Sequence, residues 1–168
     1  MGDFCEQKNH IYLLDICRKL LEKNFEFKLV LVGTGPLLDD IKGQVMKMSL
    51  NKKILFIGVS NEIPKLLQVF DVFVMPSLFE GLPVTGIEAQ ASGLPCIFSD
   101  RITPEVCMTD NARMLSLENV DDWVNMLSND KFSRNTLTAN TALEKRGYSI
   151  QKEALKLADI YREMIGEN

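Results

Sequence analysis

Two short apolar runs, Asp71-Val-Phe-Val-Met75 and Pro95-Cys-Ile-Phe98, enclose a Gly/Pro-rich turn and a segment of helical character from Val84 to Ser92. The runs are β-branched and aromatic and of strand length, so they read as buried strands. The unit is therefore strand–loop–helix–strand, which forces the two strands to run parallel. It also places Glu80 on the loop and Glu88 inside the helix. In an open parallel sheet, the loops leaving the carboxyl ends of strands are where ligands bind.

The same alternation runs along the chain. Leu13, Leu14, Cys17, Leu20 and Leu21 repeat at helical spacing, and Phe27–Val32 follows as a strand. Pro36 opens a second helix with Leu37, Ile41 and Val45 inward, since proline is tolerated in a first turn. Ile54–Ile57 is the next strand, and Ile63, Leu66, Leu67 and Phe70 mark a short amphipathic helix before Asp71. Beyond Asp100, a short strand around Arg113–Leu115 gives way to helices. One carries Trp123, Met126 and Leu127; the last presents Ala154, Leu157, Ala158, Tyr161 and Ile165 as an apolar face. The expected fold is one α/β domain over residues 1–168, a doubly wound parallel sheet with a helical C-terminal end.

At 168 residues the chain builds one sizeable core. A net charge of −4 argues against nucleic-acid binding, which needs a basic footprint. No run approaches the roughly 20 apolar residues of a spanning helix. Cys5, Cys17, Cys96 and Cys107 lack metal-ligand spacing; Cys17 and Cys96 fall in apolar segments as buried thiols, which fits a reducing cytoplasm.

Eight residues on one helix advance about 12 Å and rotate about 80°. A glycosidase pair needs carboxyls roughly 5–5.5 or 6.5–9.5 Å apart, so one continuous helix does not supply it. Gly81 and Pro83 bend the chain, and the separation stays open. Two readings stand: the acids hold two parts of one extended ligand, or Glu80 is a surface acid beside a helix-start acid. Gly33-Thr-Gly-Pro36 lacks the third glycine of a dinucleotide fingerprint, because residue 38 is Leu, and Gly58 stands where a ribose-holding acid belongs. The turn is either a tight strand-to-helix connection or a close approach for a phosphate-bearing ligand. His10, the only histidine, has no identifiable orienting partner and reads as a polar helix-start residue.

Ser77-Leu-Phe-Glu-Gly followed by Glu88-Ala-Gln-Ala-Ser-Gly-Leu-Pro95 resembles the E-x7-E signature of the glycosyl transferases group 1 (GT4-like) family, retaining enzymes of GT-B fold. Gln7-Lys8-Asn9-His10 is similar to that family's Lys-bearing loop, and Leu29–Pro36 to its Gly-x-Gly-Pro turn. Leu55–Val59, Asp71–Ser77, Ser99-Asp100 and Pro104-Glu105 follow in the family's order.

The resemblance implies a Rossmann-like, donor-binding C-terminal domain, with an apolar strand and an acceptor-binding domain expected ahead of Gly2. It implies that Lys8 neutralises the departing diphosphate and that Glu80 contacts the transferred sugar. Glu88 is implied to accept hydrogen bonds from the ribose hydroxyls. Gly33, Gly35 and the backbone of Gly81, Leu82, Val84 and Thr85 would approach phosphate or sugar, and main chain near Val59 the base. The expected ligand is a nucleoside-diphosphate sugar, with no metal. The parent enzyme is expected in the cytoplasm, peripheral to the membrane, in cell-surface glycan assembly, and this chain alone to bind donor weakly and transfer nothing. Asp3 stands where the family usually has Arg, and an acid there repels a diphosphate. Half of a GT-B-like nucleotide-sugar epimerase and a non-catalytic flavodoxin-like binding module are the alternative expectations.

Overall fold

A computed structural model describes residues 1–166. In chain order it contains α1 (His10–Glu22), β1 (Leu29–Val32), α2 (Leu38–Lys47), β2 (Ile54–Gly58), α3 (Ile63–Val69), β3 (Phe73–Met75) and α4 (Val84–Ala91). Then come β4 (Cys96–Ser99), β5 (Ala112–Leu115), α5 (Val120–Asn129), α6 (Thr136–Lys145) and α7 (Ile150–Ile165). Every strand pair is parallel, as connections through helices require.

The α/β expectation holds, and the sheet has a feature the sequence does not announce. Its strands form two hydrogen-bonded blocks, β1–β2 and β3–β4–β5. Between the facing edges of β1 and β3 lies a cavity of about 420 Å³, lined by Leu29 and Leu31, by Phe73 and Met75, and by Leu13 and Ile16 of α1. The amino-terminal segment already runs along the line of β1: Gly2 N–H donates to Val32 O at 3.0 Å, and Phe4 N–H to Thr34 O at 2.8 Å.

Side chains alternate across each strand, so each face packs its own core. On β4, Ile97 joins Leu14, Leu31, Ile41, Ile54 and Trp123, beneath α1, α2 and α5. Cys96 and Phe98 point the other way, to Leu67, Phe73, Met75, Ala89 and Val106. Full burial of side chains such as Leu14 or Phe98 contributes about 1.5–3 kcal/mol each. Trp123 adds a bond from Nε1 to Ser116 O at 2.8 Å.

Two residues seat α4 against the sheet. Gly86 touches β4 so closely that a Cβ there would lie 2.9 Å from the Phe98 ring. Gln90 is fully buried and satisfied at both ends of its amide. It donates to Gly86 O (3.0 Å) and Val106 O (2.7 Å) and accepts from Met108 N–H (2.9 Å) and Thr109 N–H (3.1 Å). Glu88 lies about 200° around the helix from Gly86 and therefore faces solvent.

Several boundaries differ from the sequence expectation. β3 begins at Phe73, leaving Asp71 exposed outside it. α2 begins at Leu38, because Leu37 N–H is drawn to Phe4 O and the Pro36 turn is thereby kept out of the helix. The apolar stripe of α7 is present but uncovered: Leu157, Tyr161 and Ile165 are exposed. All four cysteines are free, and burial pushes the Cys17 thiol up to about 12. Among the described residues, no helix is long and apolar enough to cross a membrane.

Candidate functional site

The loops leaving β1, β2 and β3 and the start of α4 converge on one end of the sheet, together with residues 3–9. Lys8 closes a short 3-10 turn, Glu6–Lys8, and Asn9 caps it with φ 52°. Asparagine tolerates this left-handed conformation better than most side chains. Lys8 Nζ meets Glu80 Oε1 at 2.6 Å, with the two side chains 21% and 10% exposed. Two sequence-assigned residues from opposite ends of the loop set thus form one ion pair.

The pair sits inside a wider clasp. Gln7 Nε2 donates to the other Glu80 oxygen, Oε2, at 3.1 Å and to Phe79 O at 2.9 Å. Leu78 N–H donates to Gln7 O at 2.8 Å, and Asn9 Nδ2 to Pro76 O at 3.1 Å. Ser99 Oγ fixes the base of the loop by donating to Ser77 O. Gln7, Asn9 and Ser99 were not singled out for roles from sequence. Only Asn9 carried a signal, its residue type at a loop-to-helix junction.

Gly81, Leu82, Val84 and Thr85 follow Glu80 directly. Among the described residues, the N–H groups of Val84 and Thr85 have no acceptor, and α4 has no side-chain cap. Such a helix start carries partial positive charge and free donors. Gly81 is exposed, with nothing within 4 Å of where its Cβ would be, so the approach to these donors is open. Glu88 lies one turn farther along, exposed, and its carboxylate makes no side-chain bond or ion pair among the described residues. Nothing joins Glu80 to Glu88; they flank the helix start separately.

Gly33 and Gly35 have a reason of their own. With φ of 135° and 152° they let the turn close on the amino-terminal segment. A Cβ on Gly35 would lie 2.5 Å from Phe4 N and 2.7 Å from Phe4 O. Gly33 N–H also donates to Gly58 O at 2.7 Å, which ties the turn to the end of β2 beside exposed Val59. The tight-connection reading of the turn therefore has a direct steric basis.

His10 opens α1 as expected, and it is buried. Its ring stacks on Phe4 with centroids 4.3 Å apart and planes 6° from parallel. Burial, then the positive charges of the α-amino group and Lys8, hold its imidazole down at about 4. Asp3 is exposed, with its carbonyl accepting from Cys5 N–H. Among the described residues, no cluster of three or more His, Cys, Asp or Glu is arranged to hold a metal ion.

Comparison with known proteins gives the site its context. The family described as "Glycosyl transferases group 1" matches residues 1–129. The UDP-Gal:alpha-D-GlcNAc-diphosphoundecaprenol alpha-1,3-galactosyltransferase of Escherichia coli is 34% identical over 98% of this chain and 45% of its own length. The solved C-terminal domain of LpcC, a glycosyl transferase group 1 family protein from Francisella tularensis, matches with a TM-score of 0.73 and 23% identity, over 89% of this chain and 84% of that one. HepE of Anabaena, solved with UDP and glucose, matches with a TM-score of 0.75 and 16% identity, over 95% of this chain and 47% of that one. At such identities the solved structures show the GT-B fold alone. The chain spans about half the length, or less, of the curated relatives it matches.

Proposed function

The chain belongs to the glycosyl transferases group 1 family, and from that premise we propose that it is the nucleotide-sugar-binding half of a retaining glycosyltransferase. The observation that carries the reading is the Lys8–Glu80 pair set beside the uncapped start of α4, with the free Glu88 carboxylate one turn away. A cation, a set of free N–H donors and two separate carboxylates match, in order, a diphosphate, its oxygens, a sugar and a ribose.

In this reading Glu88 accepts bonds from the two ribose hydroxyls, each contributing about 1.5–3 kcal/mol because the acceptor is charged. The N–H groups of Val84 and Thr85 meet diphosphate oxygens. As the bond between the anomeric carbon and the β-phosphate oxygen breaks, negative charge grows on the departing diphosphate. Lys8 and the helix start stabilise that charge in place, which is transition-state electrostatics that the residues present supply without a metal. Glu80 steadies the sugar hydroxyls while an acceptor hydroxyl oxygen attacks from the face the diphosphate leaves, its proton passing to the departing phosphate oxygen, giving retention.

The acceptor site belongs to a second domain of the parent enzyme. The chain spans 45% of the length of its Escherichia coli relative, which leaves room there for such a domain. The Escherichia coli relative acts on a lipid-linked diphosphate, so cell-surface polysaccharide or glycolipid assembly, on the cytoplasmic side and peripheral to a membrane, is the proposed setting. UDP, held by HepE, is the first nucleotide to test.

Chemical-shift titration of the labelled chain with UDP, GDP and ADP tests the reading. The expected result is saturable shifts for one base at Lys8, Gly81–Thr85 and Glu88. Silence at millimolar nucleotide in a folded sample would refute donor binding by this chain, and robust sugar transfer by the chain alone would refute its status as half of an enzyme.

A further inference from the structure

Glu80 has a different partner on each oxygen: the Lys8 ammonium on Oε1 and the neutral Gln7 amide on Oε2. The donor-site reading, on which this inference rests, asks Lys8 to serve two anions, because the cation that pairs with Glu80 also has to face a diphosphate. Lys8 has three N–H donors but one charge. As it turns toward phosphate its hold on Glu80 weakens. Gln7 does not share that conflict, since an uncharged amide gains less from the phosphate. It is also anchored independently of Lys8, because Leu78 N–H donates to its backbone carbonyl and its own amide bridges to Phe79 O.

From this geometry we infer that Gln7 is a positioning residue: it keeps the Glu80 carboxylate and the Leu78–Glu80 backbone in place while Lys8 changes partner from Glu80 to the diphosphate. Gln7 touches neither nucleotide nor reacting atoms. It acts through Glu80, so its loss falls on recognition of the sugar and not of the nucleotide.

The test compares UDP with UDP-glucose as probes on the same chain. The ratio of their dissociation constants reports what the sugar adds. Gln7→Met keeps the length and removes the donor, and it is expected to reduce that ratio about tenfold while UDP alone stays within about twofold. Gln7→Glu sets a second carboxylate against Glu80 and is expected to reduce it at least as far. Equal weakening of both probes, or an unchanged ratio, overturns the inference.

A ligand-free arm stands apart from nucleotide binding. Lys8→Met imitates the departure of Lys8, and hydrogen exchange at the Gln7 side-chain amide and the Leu78 N–H is expected to stay within about twofold of the parent chain. Acceleration of about tenfold or more would mean that Gln7 cannot hold the loop without Lys8, and the inference fails. If UDP does not bind, or binds equally to a Glu88→Ala chain, the donor-site reading is what fails, and the ligand-free arm alone decides Gln7.

Discussion

Gly35→Ala separates a structural from a ligand-facing reason for the Gly33-Thr-Gly-Pro36 turn. The added Cβ would lie 2.5 Å from Phe4 N, 2.7 Å from Phe4 O and 3.0 Å from Phe4 C, all backbone atoms of a fully buried residue. Relief requires the two segments to part by about 1 Å to reach ordinary carbon contact. That movement stretches two bonds, Phe4 N–H to Thr34 O and Leu37 N–H to Phe4 O, each contributing about 1 kcal/mol. Holding alanine at φ 152° adds about 1–2 kcal/mol of strain. The sum, about 3–4 kcal/mol, corresponds to a fall in Tm of about 6–16 °C for a domain of this size. Thermal unfolding by circular dichroism reads it directly. Gly43→Ala is the control: it lies inside α2 with nothing within 4 Å, and is expected to stabilise by up to about 1 kcal/mol. A Gly35→Ala chain with unchanged Tm and lost UDP affinity would refute the steric argument and assign the glycine to the ligand.

Other expectations follow from the same packing. Arg134 donates to three backbone carbonyls, Ser92 O, Leu67 O at 2.8 Å and Phe70 O at 2.9 Å, joining the ends of α3 and α4. Arg134→Ala is expected to cost about 2–4 kcal/mol in urea unfolding, and a change within about 0.5 kcal/mol would show the clamp to be dispensable. His10, held at about 4 against an ordinary 6.5, binds its proton sooner in the unfolded chain. Its contribution is therefore complete above pH 6.5 and lost as pH falls toward 4, by about 2 kcal/mol at pH 5. His10→Phe is expected to flatten that part of the pH–stability curve between pH 7 and 5, and a variant curve parallel to the parent's would contradict it.

The strands were legible because they combine short apolar runs with flanking turn residues, and the β3–α4–β4 unit lies within two residues of its sequence boundaries. Glu80 and Glu88 were legible as residues on a loop and a helix, and Lys8 through the resemblance of its loop. What escaped was relational. The hold of Gln7 on Glu80 joins residues 73 positions apart and leaves no periodic trace. The close approach of Gly35 to Phe4 depends on how two loops cross. Periodicity placed an apolar face on α7, but amphipathicity states only that a face wants cover, and none of the described residues buries it. His10 was legible as a polar helix-start residue, but its stacking on Phe4 is a tertiary contact that its residue type does not announce.

The most direct test of the donor-site account is calorimetric titration of UDP into the parent chain and into Glu88→Ala. Glu88 is exposed and its carboxylate bonds to nothing among the described residues, so the variant is expected to keep its Tm within about 1–2 °C. Losing two bonds to a charged acceptor is expected to weaken UDP about a hundredfold or more. Equal affinity in both chains would contradict the account, because the ribose would then be held somewhere other than Glu88.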